Sequence, residues 1–137
     1  MKRLLLMLFA LGALAQTAAA ADIFRVDKVI NGHTLLLSND ETVSLIGIDT
    51  DQAEADRFLR ELVEGKGVKL EFDEQRQDAQ GNWLAYVLLI ETNLNATMVY
   101  AGYAVPKSTP PNTMYDELFE MLYRDAVEHK RGLWAKR

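Results

Sequence analysis

Between Val29 and Gln52 the chain is three short apolar runs separated by turn-forming pairs, a pattern that few folds accommodate. The first run ends at Val29-Ile30, and Asn31-Gly32 and His33-Thr34 follow it. Leu35–Leu37 is the second run, Asn39-Asp40 the next turn, and Val43–Ile48 the third run, which closes on Asp49-Thr50-Asp51-Gln52. Asn-Gly and Asn-Asp tolerate positive φ at low cost, so between β-prone runs they favour hairpins. The stretch predicts a three-strand meander whose polar turns are places where a site can be built.

The segments around it complete one small domain. Ile23–Ile30 alternates in part, as a half-buried first strand does. From Asp51 the period lengthens: Ala55, Phe58, Leu59, Leu62 and Val63 share one face, with Asp56, Arg57, Arg60 and Glu61 on the opposite, solvated one, Asp51 as the expected N-cap and Gly65-Lys66-Gly67 as the stop. Val68–Phe72 alternates strictly, Asp73–Asn82 is a polar loop, and Trp83–Ile90 is a long apolar strand. Asn93 or Asn95 opens a short helix that ends before Gly102. Tyr103–Pro111 is a proline-bearing loop, and Thr113-x-x-Asp116 reads as a capping box for a last helix striped by Leu118, Met121, Leu122 and Ala126. Met114 and Met121 are expected as core filler, and Asp116, Glu117 and Glu120 as a solvated face. The order βββαββαα indicates an α+β, mainly β, fold and suits a five-stranded Greek-key barrel of the OB type with three helices, a reading that element order alone leaves open.

These segments carry a resemblance. Val29-Ile30-x-Gly32-x-Thr34, Leu45-Ile46-Gly47-Ile48-Asp49-Thr50, Gly81-Asn82-Trp83-Leu84-Ala85-Tyr86-Val87, Leu94-Asn95 into Ala101-Gly102-Tyr103-Ala104, and Arg131-Gly132-Leu133-Trp134 stand in the order found in the staphylococcal nuclease-like (thermonuclease) domain. The sequence resembles that family over nearly all of residues 22–137. The resemblance implies the same barrel, and in active members a calcium-assisted cleavage of phosphodiesters. Carboxylates hold the hard cation, a glutamate acts as base, and two arginines bind the phosphate.

Position by position, the chemistry has been replaced. Asn31 and His33 stand where the family has two aspartates, Ser44 and Asn82 where it has its two arginines, Asp51 where it has proline, and Gln52 where it has glutamate. Asp49 and Thr50 are retained. Gln52 cannot take a proton near neutral pH, and a positioned base is worth roughly 10²–10⁴ in rate. Ser44 and Asn82 carry no charge, so phosphate loses both bidentate forks. Asp51, Glu54 and Arg76 are neighbours that could substitute, although a helix cap, a helix surface charge and a loop charge explain them more simply. Asp49, Thr50 and His33 are the candidate metal positions, for the family's calcium or for a transition metal. Asn31, Tyr103 and Tyr115 are candidates for ligand contact. Trp83, Tyr86 and Trp134 could stack on bases, but core packing is the simpler reading.

The N-terminus points to export. Lys2-Arg3, the apolar Leu4–Leu14 and the small residues at Ala18–Ala21 have the form of a secretory signal peptide over residues 1–21, shorter than the ~20 apolar residues of a membrane span. Its removal leaves 13 basic against 20 acidic side chains, a net charge of −7. The chain contains no cysteine, so about 116 residues must fold on core burial without a disulfide. The acidic balance disfavours nucleic acid, whose binding relies on Lys and Arg. The expectation is therefore an exported domain, periplasmic or secreted, that has lost catalysis and binds a protein or small ligand. The alternatives are a metal-dependent phosphodiesterase with relocated residues and a nucleic-acid-binding module that does not cut.

Overall fold

The computed structural model describes residues 22–136. The signal peptide expected over residues 1–21 lies outside them. Five strands form the barrel: β1 (Phe24–Asn31), β2 (Thr34–Leu37), β3 (Thr42–Leu45), β5 (Gly67–Glu71) and β6 (Trp83–Leu89). They are ordered β3-β2-β1-β5-β6, and a parallel pairing of β3 with β6, Val43 opposite Trp83 and Leu45 opposite Ala85, closes the ring. The other barrel pairings are antiparallel. Closure leaves the five-strand sheet without a free edge, as OB-type barrels require.

Three two-residue strands add to the expected five: β4 (Ile48–Asp49), β7 (Thr92–Asn93) and β8 (Val105–Pro106). The third apolar run is therefore not one strand. It leaves the barrel after Leu45, turns at Gly47 with φ +82°, and resumes as β4 against β8. Gly47 is needed there twice over, because a Cβ would also lie 2.6 Å from the Phe119 ring. Irregular pairing in β1 between Val26 and Lys28 accounts for its partial alternation, since a bulge puts Val26 and Val29 both into the core.

Helix α1 (Ala53–Val63) buries Ala55, Leu59 and Val63. Its N-cap is Gln52 rather than Asp51: the Gln52 carbonyl receives the Ala55 and Asp56 N–H groups, and no side chain caps it. Helix α2 (Leu94–Tyr100) is capped by Asn93, whose side chain accepts from the Ala96 N–H. Asn95 is instead buried, donating to the carbonyls of Ile46 and Ala85 and accepting from the Val87 N–H. Helix α3 (Asp116–Glu128) starts later than the capping-box pattern predicts. Tyr115 is its N-cap, and Thr113 contributes its carbonyl to the Asp116 N–H rather than a side-chain cap.

The core joins barrel-interior residues such as Val26, Leu35, Val43, Leu45, Ala85 and Val87 to the inner faces of the three helices. Phe119 and Ala126 are the buried residues of α3. Met114 and Met121 are not core filler; they are 51% and 59% exposed, Met114 in the turn before α3 and Met121 because the face of α3 that packs is the one bearing Phe119. Nor does the last long strand reach Ile90. Ile90 and Glu91 both take positive φ at the β6–β7 turn, which leaves Ile90 89% exposed. Among the described residues no helix is long and apolar enough to cross a membrane.

Candidate functional site

The β1–β2 turn and β4 meet at one corner of the molecule. Asn31 is the last residue of β1, and its side-chain oxygen accepts the His33 N–H at 3.0 Å, fixing the turn. His33 Nδ1 lies 2.8 Å from the Thr50 hydroxyl, a hydrogen bond across 17 residues of sequence. Gly32 between them takes no positive φ; space is what it provides, since a Cβ there would lie 2.5 Å from Thr50 Oγ1. From α1, Asp56 accepts the Gly32 N–H at 2.7 Å and so ties the turn to the helix.

The polar groups of this corner are largely occupied by one another. Asp49 accepts the Thr50 N–H at 3.0 Å. Gln52 donates to Asp51 at 3.1 Å. Glu54 is bridged to Lys136 at 3.1 Å; its own backbone N–H and then Lys136 hold its carboxyl below the usual range. Asp49, Thr50, Asp51 and Gln52, with Tyr103 and Trp134, line a cavity of about 210 Å³ whose walls include no lysine or arginine. Tyr103 is stacked on Phe58 with ring centroids 4.5 Å apart.

The other expected site residues have different surroundings. Ser44 pairs with Thr34 in β2 and with Leu84 in β6, one residue along β2 from His33. Asn82 is bound to Asp78 through both its side chain and its backbone N–H, at 3.0 and 2.9 Å. Arg76 lies over the Phe72 ring, 4.0 Å from its centroid, and lines a separate cavity with Trp83. Tyr115 donates to Glu71 at 2.6 Å; that bond, with burial, pushes its hydroxyl up to about 12. Tyr86 is fully buried against Tyr115 and Phe119, where no base could stack on it.

Among the described residues, Asp49 belongs to no group of three carboxylate or imidazole ligands close enough to share an ion. The single such group is Asp125, Glu128 and His129 at the end of α3, with Asp125 already paired to Arg131. His129 differs in role from His33: its Nδ1 lies 2.9 Å from the Asp125 backbone carbonyl and 3.2 Å from the Asp125 carboxylate. Sequence reading had placed Asp56 on the solvated face of α1 and so missed its bond to Gly32, for which nothing local in the sequence gives a signal.

The family model described as staphylococcal nuclease homologue matches residues 42–136, running from β3 to the C-terminal turn. The chain belongs to the staphylococcal nuclease family. A thermonuclease of Staphylococcus intermedius is 28% identical over 137 aligned residues, covering 89% of this chain and 82% of its own length. A thermonuclease of Staphylococcus hyicus is 29% identical over 127, covering 82% and 75%. An uncharacterized protein of Bacillus anthracis is 30% identical over 110, covering 69% of this chain and 51% of its own. The five-strand barrel with three helices is thus a staphylococcal nuclease-family barrel, with uncharged or shifted residues at the positions where the family resemblance places charge.

Proposed function

We propose that this family member is an exported domain that has kept the barrel, lost phosphodiester cleavage, and works by binding a protein or small ligand. The observation that carries the reading is the state of the corner around Thr50. His33 and Thr50 are bonded to each other and Gln52 to Asp51; among the described residues, Asp49 stands without two further carboxylates and no cation lines the cavity. A phosphodiester entering there would meet an amide at Gln52 in place of the glutamate and no bidentate cation, and the neighbouring Asp51 carboxylate is bonded to the Gln52 amide. Export is supported by the basic-apolar-small pattern of residues 1–21.

A metal-dependent phosphodiesterase is the competing reading, favoured by the two relatives named thermonucleases. Incubating purified protein with DNA and RNA in calcium, manganese or zinc separates the two. Silent catalysis predicts no cleavage above a metal-only control. Digestion that requires metal and disappears in Asp49→Ala establishes the phosphodiesterase.

A further inference from the structure

The end of the barrel where β1 starts is built differently from the corner around Thr50. Phe24, Phe72 and Trp83 meet there: Trp83 is edge-on to Phe24 at 5.3 Å and to Phe72 at 6.0 Å between centroids. With Leu70, Arg76 and Gln77 they line a cavity of about 550 Å³. Small-molecule sites fall in this size range, favour barrel mouths, and combine aromatic walls with a few placed polar groups. The rings are only partly buried, so the barrel end is plugged but not sealed. Asn31, at the far end of β1, is roughly 20 Å away at ~3.3 Å per residue, so this cavity is distinct from the corner at His33.

Arg76 supplies the polar element. Its guanidinium is held over Phe72 by a cation–π contact, and among the described residues it forms no ion pair or side-chain hydrogen bond. Stacking on a ring leaves the in-plane N–H donors of a guanidinium available as a fork for a carboxylate. In a chain with 20 acidic side chains, an arginine so placed and left unpaired is a ready anion anchor. Asp22 also lines the cavity; with residues 1–21 removed its α-ammonium offsets its own carboxylate, so the net charge of the site is the single positive charge of Arg76, which matches a monoanion.

We propose that this barrel end binds a small planar aromatic monocarboxylate, its ring against Trp83 and Phe72 and its carboxylate on Arg76. The proposal deepens the binding reading above by naming a site and a ligand class. Its readout is a change at Trp83, which nuclease assays do not report, so the two fail separately.

The test is a titration of the ¹⁵N-labelled protein, in the form the producing cell accumulates, with indole-3-acetate, following the two indole N–H signals. Trp134→Phe assigns them. A saturable shift of the Trp83 signal is expected at up to millimolar ligand, with the Trp134 signal still. The neutral indole-3-acetamide and the dianionic adenosine monophosphate should each bind about tenfold more weakly. Arg76→Ala, at an exposed loop position, should weaken indole-3-acetate about tenfold with an unchanged circular dichroism spectrum. Phe72→Leu should weaken acid and amide alike. No saturable Trp83 shift, equal affinity for acid and amide, unaltered binding in Arg76→Ala, or tighter binding of the nucleotide would each overturn the proposal.

Discussion

His33 Nδ1 and the Thr50 hydroxyl are 2.8 Å apart, so the residue at a family aspartate position is bonded to the residue beside the retained Asp49. This contact joins the β1–β2 turn to β4 and fills space that Gly32 leaves open. Gly32→Ala would push a methyl into Thr50 Oγ1 at 2.5 Å and against Ala55 at 3.1 Å. Overpacking of this kind costs about 1–3 kcal/mol. Urea melts should show that loss, and Thr50→Ser in the same chain should return little of it, because the hydroxyl is the nearest atom.

Restoring the family's charges tests whether the barrel still supports the chemistry. His33→Asp, Ser44→Arg, Gln52→Glu and Asn82→Arg together should raise calcium-dependent cleavage of single-stranded DNA above whatever level the parent shows. Leaving Gln52 in place in the triple variant should lower the rate by roughly 10²–10⁴, the worth of a positioned base. A quadruple variant that folds and binds calcium without cutting would show that the backbone of the corner has also diverged.

Asn95 is a tie between three elements, with bonds to Ile46, Ala85 and Val87 in a fully buried position. Asn95→Ala strands the Ile46 carbonyl and the Val87 N–H away from water, while the Ala85 carbonyl keeps the Ile46 N–H. A buried unsatisfied polar group costs about 1–3 kcal/mol, so a loss of about 3 kcal/mol is expected in denaturant unfolding. Asn95→Asp should also destabilise, because a carboxylate cannot donate to the Ile46 and Ala85 carbonyls.

Acid should weaken the fold through Asp73. Burial pushes its carboxyl up, but the Met114 N–H, the Tyr86 hydroxyl and the Glu74 N–H outweigh that and leave it below its ordinary 3.8. A carboxyl depressed in the folded state stabilises fully above its unfolded value, and that contribution is lost as pH falls through the folded one. Unfolding free energy should therefore drop below about pH 4, and Asp73→Asn should flatten that limb. Tyr115 works at the other extreme. Raised to about 12 by Glu71 and burial, it stabilises fully below its ordinary 10.0, and this is lost as pH rises toward 12. Tyr115→Phe should reduce the alkaline loss.

The exposed stripe on α3 separates packing from patterning. Met121→Gln should leave stability within about 0.5 kcal/mol, since exposed positions rarely matter more, whereas Phe119→Ala should cost about 3–5 kcal/mol as a buried aromatic. Thermal melts of the two variants check both.

The sequence by itself determined the barrel. Turn pairs at Asn31-Gly32 and Asn39-Asp40 and strict alternation in Val68–Phe72 are local signals, because strand period and turn geometry are set by neighbouring residues. The absence of the family's arginines and base glutamate was likewise plain, since identity at a matched position needs no coordinates. Tertiary structure alone decided where side chains of ambiguous pattern point. Periodicity placed Met121 on a core stripe, but the face of α3 that packs is fixed by Phe119 against Tyr86 and the Gly47 turn, contacts distant in sequence. Asp56 and Asn95 were read as a surface charge and a cap candidate, yet one holds the hairpin tip and the other ties β6 to the Ile46 turn. Hydrogen bonds across 24 and 49 residues depend on how elements dock, and no local window of sequence contains that information.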